Sequence, residues 1–182
     1  MNKILIFPTD TVYGIGCSVF DKKNIEKIYE IKHRPSNKPL ACLCANINQI
    51  EKLAFVSEKE RKVIDTFMPG VLTIILRAKD NVKNVTGFDT IGVRIPNSKI
   101  AKKILLENGP MLTTSVNESE EKPLNDYEEI KQRYGNFVDK IYQTNEKSSN
   151  IPSTVVSLLS GKINVIREGK IKKAQIEEIF IS

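Results

Sequence analysis

The sequence predicts a single α/β domain, a twisted mixed sheet with helices packed on it, and three observations carry that prediction. Short β-branched, apolar runs alternate along the chain with segments whose apolar residues recur at helical spacing. Proline, glycine and asparagine cluster where those runs end. The 182 residues, 40% of them hydrophobic, suffice for one real core, and no compositional break divides residues 1–182.

Residues 4–7, Ile-Leu-Ile-Phe, read as a short buried strand. Residues 22–32 place Ile25, Ile28, Tyr29 and Ile31 at helical spacing behind the N-cap residue Asp21. Residues 40–45 look like a second strand. Residues 57–67 read as a helix capped by Ser57 with Glu60 three residues on, and Met68-Pro69-Gly70 stops it because neither proline nor glycine continues a helix well. Residues 71–76 and 91–95 are strands by their β-branched content. A helix over 98–107 ends near Asn108-Gly109-Pro110, a strand follows at 111–115, and a helix over 126–134 stops at Gly135. Strands at 138–142, 154–158 and 164–166 and a short helix at 174–180 complete the chain. Gly14-Ile15-Gly16 alone specifies nothing.

Several function classes drop out. No apolar stretch is long enough to span a bilayer, and no signal-type segment precedes the strand at residue 4, so a cytoplasmic protein is expected. Cys42 and Cys44 alternate with Leu43 on one strand face and, with Cys17, read as small buried hydrophobes. His33 is the only histidine, which argues against a zinc site of the usual spacing and leaves Ser–His–Asp catalysis without a nominated serine. There is no Gly-x-x-x-x-Gly-Lys-Ser/Thr loop, no Gly-x-Gly-x-x-Gly and no His-Glu-x-x-His. The net charge of +6 suits a polyanion such as a nucleotide, pyrophosphate or RNA, although the lysines are scattered rather than collected in one run.

The informative residues are polar segments placed where apolar strands end. Pro8-Thr9-Asp10-Thr11-Val12-Tyr13-Gly14 follows the first strand, where α/β sheets bind ligands, and fits either a ligand loop or a threonine-capped turn. Lys32-His33-Arg34-Pro35-Ser36-Asn37-Lys38-Pro39-Leu40 sets three fixed cations on a proline-stiffened passage, a pattern suited to phosphoryl oxygens. Arg94 stands inside the apolar strand Thr90-Ile91-Gly92-Val93-Arg94-Ile95, where it requires a carboxylate from a ligand or from a core acid. Thr113-Thr114-Ser115-Val116-Asn117, Ser153-Thr154 and Arg167-Glu168-Gly169 add hydroxyls, an amide and a further cation at other strand ends.

In this order the segments resemble the YrdC-type threonylcarbamoyl-AMP synthase family. The matching pieces are residues 8–16, Lys32-His-Arg-Pro35 with Lys38-Pro-Leu40, Met68-Pro-Gly-Val-Leu-Thr73, Val93-Arg-Ile-Pro96, Thr114-Ser-Val-Asn117, Ser153-Thr-Val-Val156 and Ile166-Arg-Glu-Gly169. The resemblance implies a sheet around a large, concave, basic cavity. It implies threonine, bicarbonate and ATP, the last with Mg2+, giving threonylcarbamoyl-AMP and pyrophosphate, the first step of threonylcarbamoyladenosine formation in tRNA. A downstream threonylcarbamoyl transferase complex would be a partner, with tRNA itself a further candidate. By the same resemblance Thr11, Arg94, Thr113 and Ser153 contact threonine, and Arg34, Lys38, Thr90, Ser115 and Arg167 hold ATP. Lys32 and Arg34 form the catalytic pair, Tyr13 and Asn117 line the cavity, and no residue is assigned as a metal ligand.

The sequence departs from the family pattern at Leu43, where some members carry histidine, at Val116 within Ser115-Val116-Asn117, and at Glu118-Ser119-Glu120, where a glycine is common. The usual helix before the first strand and the C-terminal domain of longer relatives are not seen. Two alternatives stand beside this reading. A carbamoyl-adenylate-forming relative of the hydrogenase-maturation type would sit in a much longer chain. A non-catalytic RNA-binding module would need surface charge but not an arginine inside an apolar strand.

Overall fold

The computed structural model describes residues 3–181, and one continuous sheet organises all of them. Its strands are β1 (Leu5–Phe7), β2 (Gly14–Ser18), β3 (Ala41–Leu43), β4 (Ala54–Phe55), β5 (Leu72–Ala78), β6 (Thr90–Arg94), β7 (Met111–Ser115), β8 (Lys140–Ile141), β9 (Thr154–Ser157) and β10 (Asn164–Arg167). They lie in the order β10-β9-β5-β6-β3-β7-β2-β1-β8, with β4 on β5. The pairs β1·β8, β3·β6 and β5·β9 are parallel and the rest antiparallel, so the sheet is mixed as predicted. The helices are α1 (Lys22–Ile31), α2 (Ile47–Leu53), α3 (Glu58–Phe67), α4 (Asp80–Thr86), α5 (Lys99–Asn108), α6 (Tyr127–Tyr134) and α7 (Lys173–Ile181).

The predicted helix starts hold for local chemical reasons. Asp21 accepts from the Asn24 amide, and Ser57 and Glu60 form a reciprocal capping box. Four elements escape the sequence reading. β2 carries Gly14 and Gly16, residues that weaken a strand signal. They are needed because an added Cβ would lie 2.6 Å from Thr113 Cγ2 at position 14 and 2.6 Å from Thr113 Oγ1 at position 16. α2 and α4 are seven residues each, too short for a helical period to declare itself, and β4 is a two-residue edge. The strand predicted over 138–142 pairs only at Lys140–Ile141.

Side-chain alternation splits the sheet into two unlike faces. On one, Ile6, Ile15, Cys17, Cys42, Ile74, Val93, Leu112 and Val156 form the main core with Ile25 and Ile28 of α1, Ile50 of α2, Ile64 of α3 and Phe180 of α7. All three cysteines are buried and free, and burial pushes the Cys17 thiol up to about 12. That leaves them as inert hydrophobes. On the other face α5 is the helix that packs among the described residues, its Ala101, Ile104 and Leu105 covering Leu5, Phe7, Leu43 and Met111. The remainder of that face is uncovered, and the functional cavity lies there.

Candidate active site

The uncovered face floors a cavity of about 710 Å³. Strand residues two apart reach it together: Thr73 and Ile75 of β5, Thr90, Gly92 and Arg94 of β6, Ala41 and Leu43 of β3, Thr113 and Ser115 of β7. The loop of residues 8–13 walls one side, Arg34 and Pro39 another, and Ser153 with Arg167 a third.

Arg94, only 6% exposed, is held by the first wall. It donates Nε–H to Gly70 O at 2.8 Å, Nη1–H to Thr11 Oγ1 at 2.8 Å, and Nη2–H to Asp10 Oδ1 at 2.5 Å. Burial lowers its pKa below the ordinary guanidinium value, and the Asp10 charge acts in the opposite direction. The strand arginine therefore pairs with an acid of the chain itself, one of the two partners its sequence position required. Three of its five N–H groups are used, so donors remain for a carboxylate in the cavity. Thr9 gives its hydroxyl proton to Val12 O at 2.7 Å, so in the 3.0 Å contact between the two threonines Thr11 is the donor. Thr11 thus keeps a lone pair able to accept from a ligand amine. The backbone carbonyls of Asp10 and Thr11 accept from Ser149 N and Asn150 N, which fixes this wall against the segment leading to β9.

The third wall is a hydroxyl cluster clamped by an arginine. Ser153 Oγ lies 2.8 Å from Thr73 Oγ1, while Arg167 donates to Ser153 O at 3.0 Å and to Ser153 Oγ at 3.2 Å. At the second wall Arg34 donates Nε–H to Lys38 O and Nη2–H to Pro39 O, each at 3.1 Å, which aims the guanidinium while leaving three N–H groups. Ser115 donates to Asn117 Oδ1 at 2.7 Å, and Asn117 donates to Glu121 O at 2.5 Å.

Most predicted site residues converge: Thr11, Tyr13, Arg34, Thr90, Arg94, Thr113, and also Ser115, Asn117, Ser153 and Arg167, all line this one cavity. Two do not. Lys32 is 1% exposed and stands behind the wall, its ammonium donating to Ser115 O at 2.6 Å, Asn117 O at 2.6 Å and Asn117 Oδ1 at 2.9 Å. All three N–H groups are committed, so Lys32 holds the 115–117 turn and does not reach into the cavity as the catalytic role expected for it requires. Burial, and secondarily the Arg34 charge, push its pKa down to about 8. Lys38 lies outside the lining and pairs with Glu120 at 3.4 Å. The lining holds three arginines against Glu120 and Glu121, a modest positive excess.

Asp10, Thr9, Thr73 and Gly92 lie within motifs the sequence shows but carry no individual role there. Asp10 could have been given one, as the acid nearest the Thr-x-Thr motif when Arg94 demanded a partner. Thr73 could not, because its role depends on β5 pairing with β9, where Thr73 faces Val155 beside Ser153. Among the described residues no group of three His, Cys, Asp or Glu could hold a metal ion, and no helix is long and apolar enough to cross a membrane. The lining, rich in guanidinium and hydroxyl donors, can bind and orient anions and stabilise charge that develops on them.

Comparison with known proteins agrees with this geometry. The family model Sua5/YciO/YrdC, described as "Telomere recombination", matches residues 1–169. A Methanocaldococcus jannaschii protein named "Putative threonylcarbamoyl-AMP synthase" is 38% identical over 93% of this chain and 81% of its own length. The threonylcarbamoyl-AMP synthase of Bacillus subtilis is 32% identical over 98% of this chain and 53% of its own. The crystal structure of Pyrococcus abyssi Sua5 complexed with L-threonine superposes with a TM-score of 0.90 at 29% identity, covering 97% of this chain and 53% of that one. The chain therefore spans about half the length of the latter two proteins and most of the first. With the match running through nearly every strand that floors the cavity, the chain belongs to the Sua5/YciO/YrdC family.

Proposed function

We propose that the cavity binds L-threonine and the magnesium complex of ATP side by side and makes threonylcarbamoyl-AMP from threonine, bicarbonate and ATP, releasing pyrophosphate. The observation that carries this reading is the gathering of Arg94, Arg34 and Arg167 with Thr11, Thr113, Ser115 and Ser153 around one hollow. The unused N–H groups of Arg94 take the threonine carboxylate, and Thr11 and Ser153 take its polar groups. Arg34 and Ser115 take the nucleotide at the Thr90 end of β6, and Arg167, which register places across β9 and β5 toward Arg94, reaches its phosphates from the other side. Lys38 joins them only by leaving Glu120.

The threonine amine and bicarbonate condense to a carbamate with loss of water. A carbamate oxygen then bonds to the α-phosphorus as the α–β bridging P–O bond breaks, and pyrophosphate departs with the bond's electron pair. No side-chain base is needed for that displacement, which accords with a lining of arginines and hydroxyls. Positioning the two reactants and stabilising the departing charge are the protein's contributions. The magnesium ion arrives on the nucleotide phosphates. Glu120 and Glu121 are the lining carboxylates able to approach it, a donor set suited to a substrate-borne ion. The product would pass in the cytoplasm to a transferase acting on tRNA.

In the test, purified protein receives ATP, magnesium, bicarbonate and threonine, and pyrophosphate is measured. Release should require threonine, and serine should replace it poorly. Arg34→Ala should remove most turnover with the circular dichroism spectrum unchanged. Pyrophosphate release indifferent to threonine overturns the reading.

A further inference from the structure

Gly92 sits in the middle of β6, where glycine lowers strand stability and where its backbone has no positive φ to require it. Nor does crowding explain it. A Cβ built at position 92 would meet Thr73 Cγ2 at 3.4 Å and Ile75 Cγ1 at 3.9 Å, both ordinary contacts, whereas the β2 glycines would clash at 2.6 Å. The protein has room for alanine here, and the only thing a methyl would enter is the cavity that Gly92 floors.

Register shows what shape that absence creates. Across the sheet Ile75 pairs with Gly92, Gly92 with Ala41, and Ala41 with Thr113. Two adjacent minimal side chains are flanked by larger ones, so a shallow trough runs along β6 and β3. One end is marked by Arg94 and its partner Leu43, the other by Thr90 and Leu40. Thr90 and Arg94 are four residues apart, about 13 Å along a strand. Gly92 lies midway.

We propose that Gly92 is the clearance residue of the reaction, the place where the carbamate and the α-phosphate meet against bare backbone. This rests on the two-substrate reading above. If threonine is anchored at Arg94 and the nucleotide at the Thr90 end, the group joining them must cross position 92. A methyl there obstructs the junction more than either anchor, so the residue governs the alignment of two bound reactants. A displacement of about 1 Å from attack geometry is enough to cost roughly 100-fold in rate.

The test uses Gly92→Ala, with Gly92→Ser as a second variant, in the full chain. Unfolding should show Gly92→Ala at least as stable as the parent, because alanine restricts the unfolded chain and clashes with nothing. Threonine and nucleotide, each titrated alone by calorimetry, should bind within about 3-fold of the parent, while threonine-dependent turnover falls 10-fold or more. Gly92→Ser should fall at least as far. Parental turnover in Gly92→Ala overturns the clearance role, and so does loss of either single-substrate affinity in proportion to turnover. Absence of threonine-dependent turnover in the parent defeats the underlying reading instead, so the two failures are distinguishable.

Discussion

Lys32 offers a test in which the sign of a pH effect follows from geometry. Its ammonium is buried, donates to three oxygens and has no carboxylate partner among them. The folded-state pKa of about 8 lies below the ordinary lysine value of 10.5. A lysine whose pKa falls on folding destabilises the fold fully below the folded value, and that penalty is lifted as pH rises toward the unfolded value. The unfolded chain binds more protons throughout that window, so stability climbs with pH. With about 1.36 kcal/mol per pKa unit, the gain from this residue between pH 7 and pH 9.5 is about 2 kcal/mol. Lys32→Met removes it. Other titrating groups are common to both proteins and cancel in the difference. Urea unfolding of parent and variant at several pH values should therefore show the parent rising by about 2 kcal/mol relative to Lys32→Met. Turnover should move the other way, falling above pH 8 as the ammonium loses a donor and the 115–117 turn loosens. A stability difference that stays flat from pH 7 to 9.5 would refute this description of Lys32.

Asp10→Asn should destabilise the protein by about 3 kcal/mol, the low end for breaking a buried pair, since the amide oxygen still accepts from Arg94. Thermal unfolding checks this, with the threonine KM expected to rise more than the ATP KM. Gly169→Ala should cost about 1–3 kcal/mol, because its Cβ would lie 2.6 Å from Pro152 O and 2.8 Å from Thr154 N. The strained segment carries Ser153, so weaker threonine binding, read by calorimetry, should accompany the lower melting temperature.

What could be read in the sequence was whatever local chemistry encodes. Asp21, Ser57 and Glu60 announced their helices because caps are satisfied within four residues, and β5 and β6 announced themselves by β-branched content. The site residues were legible where motifs sit at strand ends, as with Thr11 and Ser153, although the motif resemblance rather than residue type assigned them to threonine. Long-range register was invisible. Nothing local tells Lys32 to turn inward toward Ser115 and Asn117 rather than into the cavity, and a lysine beside His33 and Arg34 reads as another phosphate-facing cation. The same limit hid β2, whose glycines make sense only against Thr113 two strand positions into β7, and left Asp10 unmatched to an arginine 84 residues away.

The central claim is that one cavity joins an amino acid to a nucleotide, and the mass of what it makes tests that most directly. Protein incubated with ATP, magnesium, threonine and 13C-bicarbonate should yield an adduct with the mass of threonylcarbamoyl-AMP, heavier by one neutron than the product from ordinary bicarbonate. Formation of AMP alone, or of a carbamoylated nucleotide lacking threonine, would contradict it.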